Sequence, residues 1–373
     1  MTKNRLSMFF LAIVSAGMVM TSCEKEGDDD NKKQDDFDAK IEELALTAKW
    51  NNYLLAASEE LYDDCTLLHS EWTDEYAAVV KSATGEFNKS FSAAVEQTIV
   101  QGSIDIAGEV GEQKIGGPNS LAKEGKTAQA VLEVESWYSF NSLEDYRNNI
   151  ISIRNSYFGG MNATAAKTNS LSAFVKSKNA DLDTRLSAAI ANALNKIDVM
   201  DKPFRNNLTG AKVEAAIDAC ADLAEIFEGE LKPFVQQNAD ETAYRAILEN
   251  YVDNIVLPTY ADLENKSKAM RDAVDKFVKS PTQNNLTAAA DAWRAARIPW
   301  EQSESFLYGP ADLLGLDPSL DSWPLDQADI YTILKGSKQS VNDIRSEIQE
   351  ESVRGFHTIE LLLFKNGQPR VVK

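Results

Sequence analysis

Residues 41–70 read IEELALTAKWNNYLLAASEELYDDCTLLHS. Apolar side chains recur along this stretch at roughly helical spacing, from Ile41 through Leu54 and Leu61 to Leu68. Such spacing places them on one stripe of an α-helix, and that stripe must be buried against other elements. The stretch therefore predicts a long amphipathic helix and a fold built by packing helices together.

The same period recurs along most of the remaining chain. It spans residues 127–157, 162–178, 182–199, 209–229, 241–256, 259–279 and 284–306. Glycine and proline residues separate these stretches, and strand signals are scarce. Asn366–Gly367 is compatible with either a hairpin turn or the glycine stop of a helix. The sequence thus predicts an all-α fold of helical bundles joined by short links.

The chain has 373 residues, of which 38 are Lys or Arg and 58 are Asp or Glu, so its formal net charge is −20. Hydrophobic residues make up 43% of it, enough for a buried core in one large or two ordinary domains. Nucleic acid is excluded as a partner, because a polyanion finds no basic surface here. Metal cations and cationic partners remain compatible with this charge.

The first residues predict an exported, lipid-anchored protein. A basic start precedes an apolar run at residues 8–20, which is too short to cross a membrane and typical of a signal peptide. The run leads to Cys23 and resembles a bacterial lipoprotein box, which implies that residues 1–22 are a signal peptide and Cys23 the lipid anchor. Residues 23–37 then form an acidic tether. We expect a location in the cell envelope, at the outer membrane on its periplasmic or surface face; an ordinary secreted protein is the alternative.

The predicted domain boundary lies near a polar run at residues 236–240, which follows Pro233. It divides the folded body into a first bundle at residues 38–240 and a second at residues 241–373. A polar, glycine-rich stretch at residues 101–126 is interpreted as an ordered or lid-like excursion within the first bundle.

Two further cysteines, Cys65 and Cys220, lie in amphipathic helical stretches among apolar neighbours. A single disulfide is chemically allowed in an exported protein. The apolar surroundings favour two buried free thiols instead.

Histidine occurs only twice, at His69 and His357. His69 lies in an acidic helix without an accompanying motif and is given no role. His357 and Glu360 are three residues apart on a predicted helix, so both project from one face and can reach one ion. Three leucines follow Glu360, which places its carboxylate near the core, where it needs a cation or a hydrogen-bond donor.

A second group of charges lies upstream. Arg297, Glu301 and Glu304 follow one another at i, i+4 and i+7 among tryptophan and phenylalanine residues. Charges in such surroundings predict a paired site rather than a solvated helix face. Trp323 and Asp326 add an aromatic ring and a further carboxylate.

These segments together resemble the imelysin-like family, also known as the M75 peptidases. The blocks that carry the resemblance are Arg-x-x-Trp-Glu-Gln-Ser-Glu at residues 297–304, Trp-Pro-Leu-Asp at 323–326 and Gly-x-His-x-x-Glu at 355–360. A fourth block, ESWYSFNS at residues 135–142, looks like the family's Ser-rich segment. It precedes the His-x-x-Glu block here, so the chain resembles the circularly permuted branch of the family.

The resemblance implies two similar four-helix bundles in permuted order with a site at their interface, in an exported protein associated with iron uptake. The metal-binding candidates are His357, Glu360 and Glu304. The further ligand-binding candidates are Arg297, Glu301, Trp323, Asp326, Gly355, Ser139 and Asn141. A glycine at position 355 would let another backbone or a ligand come close.

One imidazole among several carboxylates is an oxygen-rich set, which suits iron, manganese or calcium better than catalytic zinc. We therefore expect a protein that binds a divalent or trivalent metal ion, with iron favoured and zinc or calcium possible, or a small anionic iron complex held by Arg297. A membrane transporter is a further expected partner. Two alternatives stay open: a metallopeptidase of the His-x-x-Glu type, and a helical interaction protein in which His357, Glu360 and Arg297 clamp the two bundles together.

Overall fold

The computed structural model describes residues 39–372, and over this range the protein is almost entirely helical. Its α-helices are α1 Ala48–Glu71, α2 Ala77–Lys81, α3 Phe91–Val95, α4 Gly102–Glu109, α5 Gly116–Lys123, α6 Thr127–Leu132, α7 Ser142–Phe158, α8 Leu171–Lys178, α9 Ala180–Asp198, α10 Ala211–Ile226, α11 Lys232–Gln237, α12 Glu241–Tyr251, α13 Leu257–Lys279, α14 Gln283–Glu301, α15 Pro310–Leu313, α16 Leu316–Asp321, α17 Gln327–Lys335, α18 Val341–Arg345 and α19 Gly355–Leu363. The prediction of an all-α fold is confirmed.

Shorter turns connect these helices. The π-helical turns Trp72–Tyr76, Glu96–Gln101, Val110–Ile115, Phe227–Leu231 and Val252–Val256 join consecutive α-helices into longer rods. The 3₁₀ turns are Gly85–Phe87, Phe204–Asn206, Glu304–Phe306 and Glu351–Val353. π-Helical turns shift the phase of a helix face and are frequent near functional sites.

The first of two bundles consists of α1, α13, α14 and α19. Two tryptophans tie it together through their indole N–H groups. Trp50 of α1 donates to the carbonyl oxygen of Leu362 at 3.1 Å, and Trp293 of α14 donates to that of Phe356 at 2.9 Å. Both tryptophans are fully buried, so α19 is enclosed by its neighbours on two sides.

The second bundle consists of α4, α7, α9 and α10, with the π-helical turn Val110–Ile115 packed on α10. Its core contains Tyr146, Ile150, Leu186 and Leu223, all fully buried. The two bundles meet where α7 packs against α14 and where the turn Glu304–Phe306 packs against α4 and α7.

The packing of α1 does not follow the division predicted at residue 240. This helix lies before the boundary, yet it packs against α13 and α19, which lie after it. Helices α4, α7, α9 and α10, from the middle of the chain, therefore form one bundle. Helix α1 joins the later helices α13, α14 and α19 in the other. An amphipathic stripe predicts that a helix is buried, but it does not specify which helices cover it.

The stretch at residues 101–126 is not a lid but part of the helical body. Its glycines serve close packing of helices. A side chain at Gly102 would collide with the backbone of Ser305, and a Cβ at Gly111 would lie 3.0 Å from that of Cys220. Cys65 and Cys220 are both buried and free, which confirms the prediction of two buried thiols.

The end of the described chain forms a small hairpin. Strand β1 at Phe364–Lys365 pairs antiparallel with β2 at Gln368–Pro369. Asn366 and Gly367 both have positive φ, 50° and 78°, which is the turn that an Asn-Gly pair favours. Of the two readings of this dipeptide, the hairpin is the one observed.

Within residues 39–372, no helix has the length and apolar content needed to cross a membrane. The predicted signal peptide, the acidic tether and Cys23 lie outside the described residues.

Candidate functional site

A group of buried charged side chains lies between the two bundles and is called the buried cluster below. Its members are Arg297, Glu301, Glu304, Asp321, His357 and Glu360 on the side of the first bundle, and Lys114, Glu135 and Asp145 on the side of the second. None of these side chains is more than 11% exposed. Glu135 belongs to residues 133–141, the turn between α6 and α7, which is called the site loop.

Arg297 on α14 is the centre of the buried cluster. One terminal nitrogen lies 2.9 Å from Glu135 Oε1 and 3.3 Å from Asp145 Oδ2, and the guanidinium also pairs with Glu301 and Asp321. Burial alone would lower the pKa of Arg297, but the four carboxylates outweigh it and hold the pKa well above its usual range. A permanent positive charge therefore joins two acids of each bundle.

Arg297 was expected to hold a small anionic iron complex, and its surroundings disfavour that role. Its guanidinium is fully buried and faces carboxylates, which would repel an anion. The positive charge instead offsets part of the negative charge of the cluster.

His357 on α19 is fully buried between three carboxylates. Its Nδ1 lies 3.3 Å from Glu360 Oε2, and its Nε2 lies 3.1 Å from Asp321 Oδ1 and 3.6 Å from Glu135 Oε1. Burial would lower the pKa of His357, but these neighbours outweigh it and hold the pKa well above its usual value. Both Nε2 contacts are ion-pair contacts of a protonated imidazole with carboxylates from the two sides of the interface.

Glu360 is held by the site loop. Its Oε1 accepts hydrogen bonds from the backbone N–H and the hydroxyl of Ser139, both at 2.7 Å. Arg294 in turn donates to the carbonyl oxygen of Ser139 at 2.7 Å and to Asn141 Oδ1 at 2.8 Å. These bonds place the two predicted residues of the Ser-rich block beside the His-x-x-Glu motif, as supports of Glu360 and of the loop.

Lys114 reaches the cluster from the π-helical turn Val110–Ile115. Its Nζ lies 3.1 Å from Glu135 Oε2, 3.6 Å from Glu304 Oε1 and 3.7 Å from Glu109 Oε1. Burial would lower the pKa of Lys114, but these acids hold it well above its usual range. Lys114 is thus a second fixed positive charge in the cluster.

Acids outnumber bases in the buried cluster: six carboxyl groups surround Arg297, Lys114 and His357. Burial raises the pKa values of Glu301 and Glu304 well above their usual range, despite nearby Arg297 and Lys114 respectively. The pKa of Asp145 rises to about 6, again through burial. Part of the negative charge is therefore not compensated by the bases present.

The structure brings most of the predicted residues together but separates others. Trp323 stacks edge-on against the His357 ring, with centroids 4.9 Å apart. Gly355 begins α19 with a φ of 81°, and a Cβ there would lie 2.5 Å from the carbonyl oxygen of Leu320. Its close approach is to a backbone, which fixes α19 against the end of α16.

Asp326 does not lie in the cluster. It is exposed, and its Oδ1 accepts the backbone N–H of Asp329 at 2.9 Å, so it caps the start of α17. Asp321 occupies the position in the buried cluster that was expected of Asp326. Asp321 also accepts a hydrogen bond from Trp300 Nε1 at 2.6 Å, which fixes the carboxylate against α14.

Four members of the cluster were not predicted as site residues: Lys114, Glu135, Asp145 and Asp321. Glu135 opens the block at residues 135–142, and Asp321 precedes Trp323 by two residues, so both lie at the edges of recognised segments. Lys114 lies in the polar stretch at residues 101–126 and carries no motif. Only the packing of the two bundles brings it to the site.

Three groups of side chains among residues 39–372 offer ligand atoms within 4.8 Å of one another. They are Glu135 with Asp321 and His357, Glu135 with Asp145 and Glu301, and Glu301 with Glu304 and Asp321. The predicted metal-binding set of His357, Glu360 and Glu304 is not one of them. His357 groups with Asp321 and Glu135 instead, while Ser139 engages Glu360, and Glu304 groups with Glu301 and Asp321.

Fold and site together define a class: all-α proteins of two helical bundles with a buried acidic cluster around one arginine and one histidine. The family model described as imelysin, Peptidase_M75, matches residues 25–228 and 256–371. The crystal structure of an imelysin peptidase from Bacteroides ovatus is 39% identical and covers 87% of this chain and 97% of its own, with a TM-score of 0.82. The chain belongs to the imelysin family.

A curated relative gives a second comparison. Iron-regulated protein A from Synechococcus elongatus is 38% identical over 122 residues, which are 33% of this chain and 32% of that protein. The chain thus matches about a third of the length of this relative.

Proposed function

We propose that this protein binds a metal ion in the buried cluster and that iron is its cargo. The observation that carries the proposal is the excess of acid over base between the bundles, where burial raises the pKa values of Glu301 and Glu304. A divalent or trivalent cation supplies the positive charge that this arrangement lacks and keeps the carboxylates ionised. The relative named Iron-regulated protein A supports iron as the metal.

Glu135, Asp321 and His357 are the proposed ligands. They offer two oxygen atoms and one nitrogen within 4.8 Å of one another, a mixed set that suits iron or manganese. His357 Nε2 faces Asp321 Oδ1 at 3.1 Å and Glu135 Oε1 at 3.6 Å, so an ion that replaces the imidazole proton there would contact all three residues. Because the pKa of His357 is raised, binding must displace its proton, and metal affinity should increase with pH.

Glu360 and Trp323 are proposed to orient the imidazole rather than to bind the ion. Glu360 Oε2 faces His357 Nδ1 at 3.3 Å, while Ser139 holds its other oxygen. A carboxylate behind a ligating histidine fixes the ring and raises its basicity.

The peptidase alternative finds less support in this chain. Hydrolytic zinc needs about three protein ligands, an open position for water and a separate general base. His357 is the one imidazole of the cluster, and the second histidine, His69, pairs with Glu264 at 2.6 Å on α13. Glu360, the other half of the motif, is already bound by Ser139.

A second candidate function is that of a clamp between the bundles. Arg297 favours it, because this one side chain pairs with acids from both sides of the interface. In that case the cluster fixes the relation of the bundles and a partner binds elsewhere on the helical body. Metal analysis separates this function from the first.

We expect the full chain, purified without chelator, to contain close to one metal ion per molecule by elemental analysis. The variants His357→Gln and Asp321→Asn should lower metal affinity by about tenfold or more, because each removes a ligand atom but keeps side-chain size. The matched control is His69→Gln, which changes the other histidine and should retain the metal.

Equal metal content in wild type and His357→Gln would overturn the assignment of the site. If wild type takes up no iron, manganese, zinc or calcium while His357→Gln only lowers the melting temperature, the clamp is the remaining function. Circular dichroism of each variant checks that the fold is retained.

We also propose that the protein is anchored in the bacterial envelope through Cys23, on the evidence of the basic start, the apolar run and the cysteine that follows it. In the native host, Cys23→Ser should move the protein from the membrane fraction to the soluble fraction. Cys220→Ser, which changes a buried thiol, should leave it in the membrane fraction. Membrane recovery of Cys23→Ser equal to wild type would contradict the anchor.

A further inference from the structure

A cavity borders the site loop, and none of the residues that line it belongs to the buried cluster, so the proposed metal function does not use it. It has a volume of about 510 Å³ and is bordered by the site loop, helix α6 and the terminal hairpin. We call it the hairpin cavity. Its volume is within the range of small-molecule sites, which is about 300–1,000 Å³.

Aromatic side chains form part of its wall. Trp137 and Tyr138 project from the site loop, with ring centroids 4.6 Å apart, and Phe364 contributes from β1. Val131 and Leu361 add aliphatic surface. A flat apolar group would bury its faces against these side chains.

The charge of the cavity is opposite to that of the chain. Arg205, Lys365 and Arg370 line it together with one carboxylate, Glu42, in a protein whose formal net charge is −20. Glu42 contacts both Lys365, at 2.6 Å, and Arg370, at 2.5 Å, so a single acid is shared by two bases. The Arg205 guanidinium lies 4.2 Å from the Trp137 ring centroid, which places positive charge directly beside the aromatic wall.

Trp137 gives an independent sign of a ligand. It is only 6% exposed, and its indole N–H has no hydrogen-bond partner within the described part of the chain. A buried donor without an acceptor is costly, and a bound acceptor is one common remedy.

We propose that the hairpin cavity binds a small aromatic carboxylate. The ring of the ligand lies along Trp137, Tyr138 and Val131, and its carboxylate is directed toward Arg205 and Lys365. Cationic side chains favour a carboxylate, and the aromatic walls favour a flat apolar body over a sugar or an inorganic anion. This site is distinct from the metal cluster and does not depend on it.

The probe is 2-naphthoate, titrated into the full-length protein by calorimetry, with the neutral isostere 2-naphthylmethanol as its partner. We expect one site per chain with a dissociation constant of about 1 mM or tighter, given the size of the probe. The alcohol should bind about tenfold more weakly or not at all, because it lacks the charge. Lys365→Gln, which changes an exposed base, should weaken naphthoate binding about fivefold or more.

Ala128→Trp tests the location of the site. Ala128 is an exposed residue of α6 that borders the cavity, so a large ring there should fill it and lower naphthoate affinity by about tenfold or more. Gln129→Trp adds the same ring one position later, outside the lining, and should bind as wild type does. Metal content should be equal in both variants, which keeps this test separate from that of the proposed function.

Three results would overturn the proposal: no saturable binding of naphthoate, equal affinity for acid and alcohol, or equal affinity in Ala128→Trp and Gln129→Trp. The first excludes an aromatic carboxylate, the second excludes recognition of the charge, and the third places the probe elsewhere on the protein.

Discussion

Replacing Arg297 by methionine should lower the free energy of unfolding by about 3–5 kcal/mol at pH 7, because buried charges would lose their partner. The variant keeps an apolar side chain of similar length but removes the charge that contacts Glu135, Asp145, Glu301 and Asp321. These acids would keep Lys114 and His357 as neighbours but would lose the one base that contacts all four of them. Urea unfolding followed by circular dichroism measures the difference.

The loss in free energy of unfolding should be larger at neutral pH than at acid pH. Burial raises the pKa of Asp321, but Arg297 and His357 outweigh burial and hold that pKa below its usual value. In wild type this carboxylate stabilises the fold above its unfolded pKa, and the contribution is lost as pH falls through the lower folded pKa. In the variant, Arg297 no longer lowers the pKa of Asp321, so burial raises that pKa. The cost of burying the charged carboxylate is then largest at neutral pH, and it shrinks as the carboxyl groups protonate toward about pH 4. The difference from wild type should therefore be smaller at pH 5 than at pH 7.

Arg185→Met is the matched control. Arg185 also pairs with two acids, Asp181 and Glu230, but its side chain is 42% exposed. Water screens such a pair, so we expect a much smaller change than at Arg297, with little pH dependence. A loss at Arg297 no larger than at Arg185 would show that this arginine does not hold the bundles together.

Local patterns were sufficient to predict the helices and the principal residues of the site. His357 and Glu360 were found because a charged pair among leucines is unusual, and Arg297 with Glu301 because helical spacing puts them on one face. Both pairs lie in the observed cluster. Each is encoded within a single helix, where sequence distance predicts spatial distance.

Partners from distant segments could not be predicted in the same way. Lys114 and Glu135 reach the cluster only because the two bundles meet along α7 and α14. Asp326 was predicted because it lies in the Trp-Pro-Leu-Asp block, yet an aspartate just before a helix is also a common N-cap. The stripe of apolar residues on α1 shows that this helix is buried, but it does not indicate which of the two bundles buries it.

Gly355 joins the two segments that hold the proposed ligands, which makes it the second position where a large effect is expected. Asp321 directly follows Leu320, and His357 follows Gly355 by two residues. The close approach of Gly355 to the Leu320 backbone therefore sets how the imidazole faces the carboxylate, now 3.1 Å apart. Two features require a glycine at position 355: its φ is 81°, and a Cβ there would lie 2.5 Å from the Leu320 carbonyl oxygen.

Gly355→Ala should therefore lower the free energy of unfolding by about 3 kcal/mol or more, since positive φ alone costs about 1–2 kcal/mol and the colliding atoms belong to backbone. Gly108→Ala is the opposite control: it lies within α4 with open space around it, and alanine there should stabilise by about 0.5–1 kcal/mol. The site itself can be followed by NMR titration of the two histidines, assigned with His69→Gln. In Gly355→Ala the pKa of His357 should fall toward its usual value as Asp321 moves away, whereas an unchanged pKa would mean that the contact with Leu320 does not position the pair.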